Sequence, residues 1–217
     1  MRIIDVSHPV EAGMRTYPGL PVPEMDVVLD YEPSRARYAE GTEFFIASLH
    51  LCGNTGTYVD SPRHRYREGT DLAALPLEKL AHLPITAIDA RGISGRGIGH
   101  ALLRGHQIAG RAVLFRTDWS THWRTDSYFD PNPHLTADAC RALADGGAVF
   151  AGIDSVNIDD MGNLRRPAHT ILLGAGIPVC EHLTNLAALP AHGFLHAAPI
   201  AWVGGATFPV RAYVLAD

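Results

Sequence analysis

The feature that most restricts the fold is a set of short segments dominated by apolar residues rather than alternating with polar ones. Ile85 to Ala90 (ITAIDA), Ala112 to Arg116 (AVLFR) and Val149 to Ile153 (VFAGI) read as strands buried on both faces. Between the second and third, Thr136 stands as N-cap of a helix over Ala137 to Asp145. Asp138 lies in its first turn, Gly146-Gly147 ends it, and Ala139, Cys140, Leu143 and Ala144 form an apolar stripe. Pro167 to Gly174 reads as a second helix with its proline at the start. Short buried strands alternating with helices imply an α/β fold with covered sheet faces.

Further strands are expected at Ile3 to Val10, Glu43 to Leu51, Ile200 to Val203 and Val210 to Leu215. Helical spacing of Leu77, Leu80 and Ala81 predicts a helix over Pro76 to Leu83, and Gly99 to Leu103 reads as a short one. The stretch around Tyr17-Pro18-Gly19, Pro21 and Pro23 is expected to be irregular and mostly extended. The pattern leaves strand order open.

A chain of 217 residues, 47% hydrophobic and 19% charged, fits a single domain over residues 1–217 with a full core. The formal net charge is −5 and no basic stripe occurs, which argues against nucleic acid or an anionic membrane as partner. Cys52, Cys140 and Cys180 show no CxxC spacing and are expected to be reduced thiols. No run approaches the ~18 apolar residues of a spanning helix, and the first residues lack the apolar run of a signal peptide. A cytoplasmic enzyme acting on a small molecule is the expectation.

Chemistry concentrates in two segments. The first, His50 to His64 (HLCGNTGTYVDSPRH), carries Asn54, Tyr58, Asp60 and His64 at short spacing. In strand-like geometry, positions 54, 56, 58 and 60 share a face. The second, Pro167 to Leu186 (PAHTILLGAGIPVCEHLTNL), carries His169 and Glu181 beside apolar runs. A buried glutamate is costly unless paired or bound to metal. Each residue also has a plainer reading: Asp60 as a turn cap, His169 as a core histidine, Glu181 as the start of a helix.

Together these segments resemble the cyclase/kynurenine formamidase family, which includes isatin hydrolases. Its signature His-Thr-Gly-Thr-His-x-Asp-x-Pro-x-His is similar to Asn54-Thr55-Gly56-Thr57-Tyr58-Val59-Asp60-Ser61-Pro62-Arg63-His64. Asp5-Val6-Ser7-His8-Pro9, Arg116-Thr117-Asp118-Trp119-Ser120, Gly152-Ile153-Asp154-Ser155, Leu183-Thr184-Asn185-Leu186 and Pro209-Val210-Arg211-Ala212 resemble further blocks in the same order. The resemblance implies a mixed central or barrel-like sheet covered by helices, of the swivelling β/β/α kind. It implies a homodimer or higher homo-oligomer. It also implies that Asp60, His169 and Glu181 match the ligands of one metal, and that His64 matches the acid/base.

Two family ligand positions differ, being Asn54 and Tyr58 where the family has histidine. An amide is a weak neutral ligand, and a phenol binds well only once ionised, with a pKa near ~10. The first metal position is therefore expected to be empty or weakened, leaving one divalent ion on Asp60, His169 and Glu181. That donor set is oxygen-rich, so manganese suits it as well as zinc. The leading expectation is a metal-assisted hydrolase of an aryl formamide, cyclic amide or related carbonyl compound. In the metal-free alternative, Asp60, His64 and Glu181 serve a cyclase or dehydratase as acid/base groups. A non-catalytic binding protein is the third reading. Tyr58 is a candidate donor to a substrate carbonyl or a filler of vacated metal space. Arg63 or Arg65 is a candidate partner for one carboxylate, and Tyr17, Trp119 and Trp123 are candidate walls of an aromatic-accepting pocket.

Overall fold

The structure is a computed structural model and describes residues 1–216. In chain order its strands are β1 Arg2–Asp5, β2 Glu24–Leu29, β3 Ile46–His50, β4 Tyr58–Asp60, β5 Leu83–Asp89, β6 Gly97–Ile98, β7 Ala112–Arg116, β8 His134–Leu135, β9 Phe150–Ile153, β10 Val179–Glu181, β11 Phe194–His196, β12 Thr207–Pro209 and β13 Tyr213–Ala216. The α-helices are α1 Tyr31–Ser34, α2 Ala137–Asp145 and α3 Pro167–Gly174.

Nine strands form one mixed sheet in the order β1-β13-β11-β5-β7-β9-β10-β4-β12. The central strands β5, β7, β9 and β10 run parallel, and antiparallel strands extend the sheet on both sides. Connectivity requires this sheet to curl. β13 and β12 stand seven strand positions apart, about 34 Å in a flat sheet at ~4.8 Å per step. Yet β12 ends at Pro209 and β13 begins at Tyr213, a link that reaches at most about 14 Å. The two sides must therefore approach each other. Direct contacts agree: Ser7, just past β1, bridges Leu183, just past β10, and Thr184 N donates to Val6 O at 3.0 Å. This is the barrel-like mixed sheet that the family resemblance implies.

Period-two alternation then divides each central strand between two cores. Ala112 and Leu114 of β7 join Ile4, Val59, Ile85, Phe150, Cys180, Leu195 and Val214 in one cluster. Val113 and Phe115 join Ile88, Ala151, Ile153 and Val179 in the other, beneath Cys140 and Leu143 of α2 and Leu172 and Leu173 of α3. Strands covered on both sides explain why these segments are apolar along their length.

Several local expectations are corrected. Pro76 to Leu83 is not an α-helix: a 3₁₀ turn at Leu77–Lys79 stops at Leu80 (φ −130°). Left-handed His82 (φ 55°) then redirects the chain into β5. Thr136 precedes α2 as expected, but its hydroxyl donates to Ile98 O at 3.0 Å instead of accepting from the helix. Ile200 to Val203 is an exposed loop with Val203 83% accessible, because no neighbouring strand pairs it. The stretch from Tyr17 to Pro23 is irregular as expected, and β2, in residues that carried no expectation, follows it and pairs β3 in a separate two-stranded sheet.

Candidate active site

Strand register assembles the site. β10 and β4 pair antiparallel, with Glu181 opposite Tyr58 and Val179 opposite Asp60. Val59 and Cys180 point into the first core, so Tyr58, Asp60 and Glu181 occupy the opposite face, toward α3. α3 packs against β10 and against the 3₁₀ turn Pro62–His64. His169 is thus carried onto the strand pair, and the His64 ring centroid lies 5.5 Å from that of His169. The expected shared face begins only at Tyr58. Gly56 is left-handed (φ 64°), and Asn54 reaches the site from a loop.

Asp60 is the most unusual group. It is 0% exposed, and neither carboxylate oxygen has a hydrogen-bond donor. Buried carboxylates normally accept several hydrogen bonds. Its nearest polar neighbour is His169 Nε2, 3.4 Å from Oδ2, and Glu181 Oε1 lies 3.6 Å from the same nitrogen. Two donors bound tetrahedrally to one ion at ~2.1 Å stand about 3.4 Å apart. These spacings suit a shared cation better than direct hydrogen bonds. The three residues whose ligand atoms all lie within 4.8 Å of one another are Asp60, His64 and His169, a set without Glu181.

His169 is oriented from behind. Its Nδ1–H donates to Asp159 Oδ2 at 2.6 Å, which leaves Nε2 facing Asp60 and Glu181. Asp159 also accepts from Ala168 N at 2.6 Å and His169 N at 3.1 Å. The N-cap position of α3 is Arg166, which offers no acceptor, and Asp159 replaces the missing cap. Burial alone would lower the pKa of His169. The hydrogen bond to Asp159 and the charges of Asp60 and Glu181 outweigh it and raise the value well above the ordinary imidazole. Burial, with repulsion from Asp60, pushes Glu181 up to about 7, against the opposing pull of His169, Tyr58 and Ile158.

Asn54 Oδ1 and the Tyr58 hydroxyl are both engaged by protein partners. Asn54 Oδ1 accepts from Thr207 Oγ1 at 3.1 Å. Gly53 lets the loop lie against Thr207, since a Cβ there would meet Thr207 Oγ1 at 2.3 Å. Tyr58 is 2% exposed and donates its hydroxyl proton to Glu181 Oε2. Burial and the neighbouring charges of Glu181 and Asp60 raise its pKa well above the ordinary phenol. It therefore stays neutral, and its proton would have to leave Glu181 before reaching a substrate carbonyl.

A cavity of about 360 Å³ opens onto these groups, walled by His64, His169, Glu181, Tyr58, Asn54, Tyr17 and Arg166 among others, a size that suits a small molecule. Asp60 is not part of the wall. Of the three aromatic residues expected to line a pocket, only Tyr17 does. Trp119 donates to Tyr128 O at 3.0 Å, and Trp123 stacks on His8 at 4.1 Å. Arg63 and Arg65 neutralise no carboxylate: they donate to Gly204 O and Thr170 Oγ1. Sequence reasoning missed Asp159, Asn157 and Arg166. A helix start with proline but no Ser, Thr, Asp or Asn before it is a signal that an acceptor must come from elsewhere.

The turn bearing His64 closes on itself: Arg63 N donates to Thr70 O at 3.1 Å. A Cβ on Gly69 would lie 2.6 Å from the Pro62 carbonyl carbon. Gly69→Ala is expected to cost about 1–3 kcal/mol, read as a lowered Tm, and to reduce any activity that depends on His64. An unchanged Tm would show that the turn is not tightly packed.

Residues 4–160 match the Cyclase family model, described as "Putative cyclase". The chain belongs to the Cyclase family. It is 31% identical to a kynurenine formamidase of Salinibacter ruber over 218 aligned residues, covering 100% of this chain and 98% of that protein. It is 28% identical to one of Bacillus cereus, covering 97% and 96%. Among solved structures, a protein described as a potential metal-dependent hydrolase with cyclase activity matches this Cyclase-family chain with TM-score 0.80 at 25% identity, covering 98% and 96%. Isatin hydrolase A from Ralstonia solanacearum shares the fold, with TM-score 0.84 at 24% identity, covering 100% and 92%.

Proposed function

We propose that this chain hydrolyses the C–N bond of a small aryl formamide, cyclic amide or related carbonyl compound. One divalent ion, zinc or manganese, is held by Asp60, His169 and Glu181, and His64 is the acid/base. The carrying observation is the donor-free, fully buried carboxylate of Asp60, 3.4 Å from the free nitrogen of His169. Such a group is costly to bury without a cation. Full-length relatives named kynurenine formamidase support the reaction class.

An ion there supplies Lewis-acid polarisation of a carbonyl and eases deprotonation of water near neutral pH. The protein supplies the rest. Asp159 fixes the ring of His169. Ile158 N, at 2.6 Å, and Tyr58 fix the two oxygens of Glu181. His64 is exposed and lines the cavity, so it can take a proton from attacking water, give it to the departing nitrogen, and exchange with solvent. Removing metal with a chelator and then restoring zinc or manganese tests this on a panel of formylated aryl amines and cyclic amides. Loss and recovery of turnover is expected. Full activity without metal would favour the metal-independent cyclase or dehydratase instead.

A second reading makes His64 the third ligand, on its place within 4.8 Å of the Asp60 and His169 donor atoms. Metal content of His64→Ala separates the two: retained metal with lost turnover fits the acid/base, and lost metal fits the ligand.

The site also predicts pH dependence. Without an ion, Glu181 holds a proton below about pH 7, and the raised His169 holds one at neutrality. An ion must displace these protons, so its affinity rises with pH. Both shifts are upward. The contribution of these two groups to the ion-free fold is therefore fully present at low pH, and it is lost as pH rises through the ordinary carboxylate value toward 7 and then through the folded value of His169. Between pH 6 and 8 the affinity is expected to rise about tenfold or more per pH unit, measured by competition with a chelator. A flat profile would show that these groups are not the ligands.

A further inference from the structure

Asn54 stands half-buried on the cavity wall, and its amide is oriented from both ends. Its Oδ1 accepts from Thr207 Oγ1 at 3.1 Å, against which Gly53 seats the loop. The NH2 end is thereby turned away from Thr207. One of its two N–H groups faces the Tyr58 hydroxyl. Burial and the charges of Glu181 and Asp60 raise the pKa of that phenol, and the Asn54 amide opposes them. The other N–H has no protein acceptor among the described residues. An amide does not titrate near neutrality, so this donor is present at every working pH.

Glu181 fixes where the donor lies. Its Oε1 faces His169 Nε2 at 3.6 Å, and its Oε2 accepts the Tyr58 proton. The proposed ion belongs on the Oε1 side, and the Asn54 amide stands on the Oε2 side. Other donors on the wall are committed. Asn157 Nδ2 donates to Glu181 Oε2 at 3.4 Å. Arg65 donates to Thr170, and Arg166 to Asn157 and Tyr17.

We propose that Asn54 Nδ2 donates to the carbonyl oxygen of the substrate and stabilises the negative charge that develops there. The inference rests on the hydrolase reading above and adds a catalytic residue to it. As water attacks the carbonyl carbon, the C=O π pair moves onto oxygen and His64 takes the water proton. The pair returns as the C–N bond breaks, and His64 gives that proton to the departing nitrogen. A fixed donor at the oxygen acts most strongly while the charge is there. Thr207 supplies the fixing, so it is a positioning residue for the same step.

The test sets formanilide against thioformanilide, whose sulfur is the weaker hydrogen-bond acceptor, in wild type, Asn54→Ala and Thr207→Val. Tm and metal content are measured on each. Asn54→Ala is expected to keep its metal and to lose about hundred- to thousandfold in kcat on formanilide, with KM within about threefold. On thioformanilide its loss should stay below about tenfold. Thr207→Val, which leaves the amide in place but unfixed, should lose up to about tenfold, again on formanilide alone. Equal loss on both substrates, an unchanged kcat, or loss of metal from Asn54→Ala overturns the proposal. If wild type hydrolyses neither compound, the hydrolase reading fails by itself. Binding to metal-stripped protein then decides. A weakening of about three- to tenfold in Asn54→Ala, confined to formanilide, is what one neutral hydrogen bond supplies and upholds the donor; unchanged binding overturns it.

Discussion

Asp60→Ala is expected to lower turnover by about a thousandfold or more and to abolish binding of the ion, without destabilising the ion-free protein. Lewis-acid stabilisation of several kcal/mol, at 1.36 kcal/mol per factor of ten, sets the size of the activity loss. The stability result distinguishes a functional carboxylate from a structural one. A structural buried aspartate accepts hydrogen bonds, and its removal leaves donors orphaned. Asp60 accepts none, and Glu181 stands on the same face. Removing it relieves the repulsion of Glu181 and forfeits the attraction of His169, 3.4 Å away. The two oppose each other, so the ion-free variant should melt within a few degrees of the ion-free wild type, whereas ion-loaded wild type gains stability that the variant cannot. A Tm fall of many degrees in the ion-free variant would mean that Asp60 holds the fold together.

Asp159→Ala should show the opposite balance. Its carboxylate accepts from Ala168 N, His169 N and His169 Nδ1. It therefore caps α3 and fixes the ring that faces Asp60. Loss of one cap and one buried charged hydrogen bond is expected to cost about 2–4 kcal/mol. Ion affinity should fall about ten- to hundredfold, as for other partners that orient a metal-binding histidine. Thermal melts with and without metal, together with chelator competition, measure both losses. A change in affinity alone, with no change in Tm, would remove the capping role.

The contrast between these two aspartates marks what the chain reveals before folding. Local pattern places α2 and α3 at their observed bounds, because the apolar stripe of α2, the proline that opens α3 and the Gly146-Gly147 pair act within a few residues. The central strands are equally legible because burial on both faces leaves little room for polar residues. The three-residue strands β4, β11 and β12 are not legible. Three residues carry almost no periodicity, and β4 and β12 pair with partners more than a hundred positions away. Asp60, His64, His169 and Glu181 stand out through their segments, and folding brings them together. Asp159, Asn157 and Arg166 act through contacts made by a loop before α3, which no spacing announces. Trp119 and Trp123 show the converse: aromatic residues near a strand tip suggest a pocket, yet Trp123 packs on His8 and Trp119 is anchored to Tyr128.

The central claim is that Asn54 and Tyr58, engaged by Thr207 and Glu181, leave room for a single ion between Asp60, His169 and Glu181. Metal content per chain, measured on wild type and His169→Ala after equilibration with zinc or manganese, addresses it most directly. The account predicts one ion per wild-type chain and none in His169→Ala. Two ions per wild-type chain, or an ion retained in His169→Ala, would contradict it.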